Sequence, residues 1–219
     1  MVDPGILSIL NAVKDGKITV DNPCERFQNM PYENLQHARI DHHRSLRKGL
    51  QEVVFGEGKT FSQIADIISS MKRNKQSVLV TRLNTDIASK LTRRFRTGRY
   101  NEAARCLTVP AGKEINEGKG TVLVVSAGTS DIPVAEEAYV TSTFFGNKTE
   151  RLYDVGVAGI HRLFDNIDVL RKARVIIVTA GMEGALPSVV AGLVGVPVLA
   201  VPTSIGYGAS FGGISALLA

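Results

Sequence analysis

Three short segments set small residues, hydroxyls and carboxylates directly behind apolar runs. "SAGTSD" (126–131) carries Ser130 and Asp131, "TAGMEGALP" (179–187) carries Glu183, and "PTSIGYGAS" (202–210) is rich in glycine. A carboxylate beside a hydroxyl could hold or move a proton, and a glutamate at a strand end could act as a general base. Each also has a plainer use. Ser130 or Asp131 would cap a following helix, with Pro133 in its first turn. Glu183 would suit the positive end of a helix dipole. The glycine loop is harder to explain as a turn alone. Gly206, Gly208, Gly212 and Gly213 place four glycines in eight residues. Their entropic cost would be justified by a close approach of backbone to a ligand, phosphate being the obvious one. The loop lacks both the Gly-Lys-Ser/Thr ending of a Walker loop and the GxGxxG spacing.

Those segments need elements to position them, and the second half of the chain supplies a repeating strand-then-helix pattern. "TVLVVSA" (121–127), "RVIIVTA" (174–180) and "VPVLAVP" (196–202) are continuous apolar runs, as strands buried on both faces should be. "RLYDVG" (151–156) is a weaker strand. Helices are predicted over 131–145, 159–170, 185–193 and 210–219. Alternation of this kind implies right-handed crossovers and a parallel sheet with helices on both faces. Ligands then bind beyond the carboxyl ends of the strands, where the three segments fall.

The first half is polar, basic and patchy up to Lys119, and "AGKEINEGKG" (111–120) has the glycine and charge content of a connector. Two domains are therefore predicted, a mixed α/β domain over 1–119 and a three-layer α/β domain over 120–219. The net charge of +5 favours anionic partners, either a phosphorylated small molecule or nucleic acid. "KLTRRFRTGRY" (90–100) interleaves arginines with Phe95 and Tyr100, as single-strand binders do. Yet Ile87, Leu91 and Phe95 recur at helical spacing, so the stretch reads first as an amphipathic helix with a charged face, and no nucleic-acid partner is expected. No apolar run reaches the roughly 18 residues of a membrane span. Residues 1–20 lack a signal-peptide layout, so no membrane is expected and the cytoplasm is the expected compartment. Cys24 and Cys106 are far apart and suggest neither a zinc site nor a disulfide framework; each reads as an ordinary small residue.

Taken together, "SAGTSD", "GIHR", "AGMEGALPSVVAG", "GVPVLAVP" and "SIGYGASFGGISALL" resemble the core of the PurE-type aminoimidazole ribonucleotide carboxylases and mutases, over about residues 120–219. The resemblance implies a PurE/flavodoxin-like fold in which the Ser-Asp pair, the His-Arg and the Gly-Ala-rich loop converge on a nucleotide and a CO2-sized group. In front of it, "ARIDHHRSLRKGLQEVVFGEGKT" (38–60) is similar to the LarB family, the pyridinium-3,5-biscarboxylic acid mononucleotide synthases of nickel-pincer cofactor biosynthesis. That family carboxylates nicotinic acid adenine dinucleotide at carbon 5 of its pyridinium ring with CO2 or bicarbonate, then hydrolyses the phosphoanhydride to release AMP. The runner-up expectations are a purine-pathway aminoimidazole ribonucleotide carboxylase or mutase and a non-catalytic nucleotide-binding module.

The resemblance also implies roles. Ser130 and Asp131 would face the carboxylation centre, and Glu183 would handle the ring proton or orient the group that does. Substrate contacts would come from Ser126, Gly128 and Thr129, from Gly181, Met182, Gly184 and Ala185, and from Gly206 and Gly208. Lys148, His161 and Arg162 are candidate anion contacts, and Arg39, Arg44, Arg47 and Lys59 candidate clamps for the dinucleotide phosphates. The carboxylation needs a thiolate to add to the ring. In the family that cysteine follows the helix beginning "GGISALLA". With the sequence ending at Ala219, the nucleophile is expected beyond it, and the 219 residues alone are not expected to complete the carboxylation. No metal-ligand spacing is visible. No cofactor is firmly expected, Mg2+ being the ion considered for the anhydride cleavage. PurE-type cores assemble as octamers, so a homo-oligomer is expected, with the Gly/Ala-rich helices 184–193 and 210–219 at subunit contacts.

Overall fold

The computed structural model describes residues 4–21, 32–42, 44, 49–111, 118–206 and 210–219. After helix α1 (Pro4–Lys14) and a short antiparallel ribbon of β1 (Glu33–Asn34) and β2 (Arg39–Ile40), the first domain alternates strands and helices. These are β3 (Val53–Phe55), α2 (Phe61–Arg73), β4 (Val78–Thr81), α3 (Thr85–Arg94), β5 (Arg99–Asn101) and β6 (Cys106–Val109). The strands form a mixed sheet in the order β3-β4-β6-β5, parallel only between β3 and β4. Helix α2 begins where a sequence signal says it should. The Thr60 hydroxyl accepts from the Gln63 N–H while the Gln63 side chain accepts from the Thr60 N–H. Its buried face, Ile64, Ile68 and Met71, packs with Val78 and Val80 of β4. Helix α3 keeps Leu91 buried and Arg93 and Arg94 exposed, the amphipathic arrangement its spacing predicts.

The second domain is built from β7 (Thr121–Ser126), α4 (Ile132–Phe144), β8 (Lys148–Leu152), α5 (Ile160–Phe164), α6 (Ile167–Lys172), β9 (Val175–Ala180), α7 (Ala185–Leu193), β10 (Val198–Pro202) and α8 (Ile214–Leu218). Its four strands are all parallel in the order β10-β9-β7-β8. One face of the sheet, through Leu123, Val125, Ile176 and Val178, packs against Leu163, Leu170, Leu186 and Val190 of α5, α6 and α7. Helix α4 packs on β7, β8 and β9 and also reaches β4 and β6 of the first domain. Val140 and Phe144 of α4 pack against Leu79 and Cys106. This explains why all four residues of β4 are buried: alternate side chains face the domain's own helices and the neighbouring domain's helix.

Two predicted elements shift. The weak strand lies at Lys148–Leu152, three residues before the predicted start, and Tyr153–Gly156 forms the turn, with Asp154 at φ +59°. It is an edge strand, and edges are kept charged, so "KTERL" carries no apolar run to read. The helix predicted over 159–170 is two pieces, α5 and α6, broken at Asp165–Asn166. The final helix is also shortened. A 3-10 turn at Phe211–Gly213 precedes α8, with Gly212 and Gly213 at φ +66° and +101°. Among the described residues no helix is long and apolar enough to cross a membrane.

Candidate functional site at the carboxyl ends of the strands

From β7 the chain runs outward to β8, then crosses back over β7 to β9 and on to β10. The connections leaving β7 and β9 therefore diverge, and the crevice between their carboxyl ends is the switch point where ligands bind in open α/β sheets. Ser126 pairs in register with Thr179. The turns carrying Ser130 and Glu183 leave from those two adjacent positions, so the two candidates lie on neighbouring loops. Both side chains belong to exposed residues.

Asp131 differs from its neighbour. It is buried, and both carboxylate oxygens are occupied: Oδ2 accepts from the Gly128 N–H at 2.9 Å and Oδ1 from the Thr203 hydroxyl at 2.6 Å. The carboxylate thereby ties the loop after β7 to the end of β10 and is turned away from solvent. Its role is to fix the loop on which Ser130 stands, not to reach into the crevice. Ser126 is likewise buried, its hydroxyl accepting from the Asp154 N–H at 3.2 Å, so it holds the loop after β8 from below. Gly128 spends its N–H on Asp131, while Thr129 is exposed beside Ser130.

The loop after β9 is held just as closely. A Cβ on Gly181 would stand 1.8 Å from the Ile205 carbonyl oxygen, so no side chain fits there. Met182, at φ +53°, donates its N–H to the same carbonyl at 3.3 Å. Gly184 is packed against the backbone of Ala216 in α8, and Ala185 opens α7. Gly206 and Gly213 also owe their missing side chains to protein: a Cβ at Gly206 would meet Ser210 at 2.9 Å, and one at Gly213 the Thr203 carbonyl at 2.8 Å. The close approach inferred from the glycine run is, at these positions, an approach of loop to loop. Gly208 lies outside the described residues, as do Arg47 and Cys24.

The basic candidates divide. Arg162 in α5 donates to Asp154 Oδ2 at 2.5 Å, and Asp154 is anchored through its own N–H to Ser126, so the His161–Arg162 pair stands at the carboxyl end of the sheet. His161 is exposed. Lys148 is not brought to the site. It begins β8 opposite Thr121, at the amino edge of the sheet, and pairs with Glu150 at 2.9 Å. In the first domain Arg39 lies over the Tyr32 ring, and the Lys59 ammonium donates to the Phe55 carbonyl at 2.6 Å. Arg44 donates its backbone N–H to the Asp41 carbonyl at 3.3 Å.

Three residues without a role in the sequence reading matter here. Thr203 lies in the "PTS" that follows β10, inside a segment singled out for its glycines, but nothing local reveals a hydroxyl bonded 72 positions away. Arg82 and Arg105 line a crevice of about 510 Å3 between the domains, together with residues of α4, β10 and α8. They sit at the ends of β4 and β6, which pair antiparallel, so only the sheet brings them together. Cys106 is fully buried beneath this crevice; burial and the charge of Glu137 push its thiol up to about 12, which removes it as a nucleophile at neutral pH. Among the described residues no group of His, Cys, Asp and Glu could hold a metal ion.

The chain matches two family models end to end. Residues 32–111 match the LarB/PurE-like N-terminal domain, and residues 121–219 match AIR carboxylase. It is 38% identical over 208 residues to an uncharacterized protein of Methanocaldococcus jannaschii, covering 91% of this chain and 81% of that one. It is 36% identical over 100 residues to N5-carboxyaminoimidazole ribonucleotide mutase from the same organism, covering 44% of this chain and 59% of the mutase.

Proposed function

Because this chain belongs to the LarB/PurE family and joins a LarB-type amino-terminal domain to an AIR carboxylase domain, we propose that it carboxylates nicotinic acid adenine dinucleotide at carbon 5 of the pyridinium ring and hydrolyses its phosphoanhydride. The products are AMP and pyridinium-3,5-biscarboxylic acid mononucleotide. The observation that carries this reading is the union of the two domains. Similarity to the mutase extends over 100 residues, whereas the LarB-type domain accounts for 32–111 as well.

The chemistry must overcome an electron-poor ring. A thiolate adds to the pyridinium, breaking aromaticity and making carbon 5 an enamine carbon that attacks CO2. A base then removes the proton from carbon 5, and the ring expels the thiolate as it rearomatises. Water cleaves the phosphoanhydride. Glu183, exposed at the end of β9, is the residue we assign to the ring proton. Ser130 faces the incoming carboxylate, His161 and the Asp154-paired Arg162 are anion contacts on the opposite side of β7, and Asp131 holds the Ser130 loop in place. Cys106 is not that thiolate, because burial pushes its thiol up to about 12.

The test is incubation of the full-length protein with the dinucleotide and bicarbonate. AMP release and a gain of one carboxyl group on the pyridinium product are expected by mass spectrometry. Turnover of aminoimidazole ribonucleotide with the dinucleotide untouched would replace this reading with the purine-pathway one, which the identity to the mutase favours.

A further inference from the structure

Five cations stand within ten residues around the end of α3: Lys90, Arg93, Arg94, Arg96 and Arg99. All five are exposed, and none forms an ion pair among the described residues. The chain holds 26 Lys and Arg against 21 Asp and Glu, so without these five the two counts would be equal. No acid falls between Asp86, in the first turn of α3, and Glu102. Lys90, Arg93 and Arg94 share a helix face by their spacing. A tight turn, closed by the Gly98 N–H donating to the Phe95 carbonyl at 2.7 Å, then carries Arg96 and leads into Arg99. Lys72 of α2 joins them, since its ammonium and the Arg94 guanidinium both lie over the Phe95 ring, 5.8 and 5.6 Å from its centroid. The helix dipole favours Arg93 and Arg94 in the last turn, and a charged edge suits Arg99 on β5. Neither use calls for a stretch from which acids are missing, and like charges three and four residues apart on a helix repel.

We infer that this face docks the phosphate backbone of double-stranded nucleic acid, through charge and without reading bases. The partner follows from what the face lacks. A protein partner needs an apolar interface core and a membrane needs apolar anchors. Among the described residues, no large apolar side chain between Phe55 and Ile160 is exposed. Stacking on unpaired bases needs open aromatic rings. Phe95 is buried with two cations over its ring, and Tyr100 spends its hydroxyl on the Leu83 carbonyl at 3.1 Å. Interleaved aromatics suggest stacking; the structure removes that and leaves the charge. Four of the five cations are arginine, whose planar fork suits phosphate. A regular row of phosphates meets these conditions, because backbone contacts require neither apolar area nor base edges. None of these residues belongs to the loops of the reaction centre, so the inference does not depend on the activity proposed above.

Fluorescence anisotropy of a labelled duplex of about 20 base pairs, two helical turns, tests this with the whole chain. Binding should weaken about 500-fold between about 50 and 200 mM salt, as a slope of about −0.9 per phosphate contact gives for five contacts. Arg93→Glu combined with Arg96→Glu should weaken binding about tenfold or more at about 0.1 M salt. The gentler pair, Arg93→Gln with Arg96→Gln, should lower the salt slope by about two and keeps the test open if the reversals disturb folding. Arg171→Glu combined with Lys172→Glu, on α6, changes the net charge as much as the first pair and should shift affinity less than about threefold. All four residues are exposed, so the variants should keep the native thermal midpoint. A single strand of the same length should bind no more tightly than the duplex. Absence of duplex binding at about 0.1 M salt, an equal loss in the two reversed pairs, or a preference for the single strand would each overturn the inference. Capture by poly-glutamate or phosphatidylserine vesicles that depends on Arg93 and Arg96, with the duplex unbound, would also overturn it and give the face to an acidic protein or a membrane.

Discussion

The two carboxylates singled out at the strand ends have opposite surroundings. Asp131 is buried with both oxygens bonded, and Glu183 is exposed on a loop whose backbone is locked by the Gly181–Ile205 contact. A buried, bonded carboxylate stabilises the native state; an exposed one contributes little to it and is free to act on a ligand. Thr203→Val leaves Asp131 Oδ1 buried without its donor, which should cost roughly 1–3 kcal/mol in unfolding free energy. Thr203→Ser, which keeps the hydroxyl, should recover most of that. Glu183→Gln should leave the denaturant midpoint unchanged and abolish carboxylation, with dinucleotide binding held within about tenfold. A stability loss at Glu183→Gln, or a neutral Thr203→Val, would reverse the assignment of roles. Neither role was legible from residue type. "TSD" reads as a cap or as a site, and what separates Asp131 from Ser130 is a hydroxyl just past the end of another strand.

At the level of elements, legibility follows burial on both sides. The runs of β7 and β9 and the helix Ala185–Leu193 stand out because central strands and their crossovers are apolar throughout. The edge strand β8 is charged and lies three residues before its predicted start, and the break between α5 and α6 carries no proline or glycine to mark it. Helix α4 is a different case. "IPVAEEAYVTSTF" has no apolar stripe, because the helix is wedged between two sheets and needs apolar residues on both sides. This makes α4 the element that couples the domains. Leu79 is fully buried and faces α4, whereas Val80 faces the first domain's own helices. Both truncations to Ala should be destabilising, Leu79→Ala by about 2–5 kcal/mol as core Leu truncations are. Only Leu79→Ala should split thermal unfolding into two transitions, one per domain, when followed by calorimetry. A single unshifted transition would show that α4 does not couple them.

Across the whole molecule the two domains meet through a charge that titrates. Glu136 of α4 is buried and accepts from Asn101 of the first domain, from Tyr153 at 2.8 Å and from Arg151, whose Nε stands at 2.6 Å. Burial alone would raise its carboxyl. The hydrogen bonds from Arg151, Tyr153 and Asn101, with the charge of Arg151, outweigh burial and hold it below the ordinary glutamate value of 4.5. Burial and the bond to Glu136 push the Tyr153 hydroxyl upward, so it remains a donor through neutral pH. A depressed folded-state value means that the ionised carboxylate stabilises docking fully above pH 4.5. That contribution drains away as the pH falls through 4.5 toward the lower folded value. Glu33 is also held low, since the bonds from Ser70 and His42 and the charge of Arg73 overcome its burial, but it braces β1 against α2 within the first domain and does not touch α4. Cys106 reports the difference, because it is fully buried where β6 meets α4. With an acid-active disulfide reagent and peptide mapping of the label, Cys106 should react faster as the pH falls below 4.5 while far-ultraviolet circular dichroism is still native. In Glu136→Gln the thiol should react faster already at neutral pH, and its rate should lose the acid dependence. If Cys106 stays protected until secondary structure is lost, docking does not depend on the Glu136 charge, and the apolar contact of Leu79 and Cys106 with Val140 and Phe144 holds the domains together by itself.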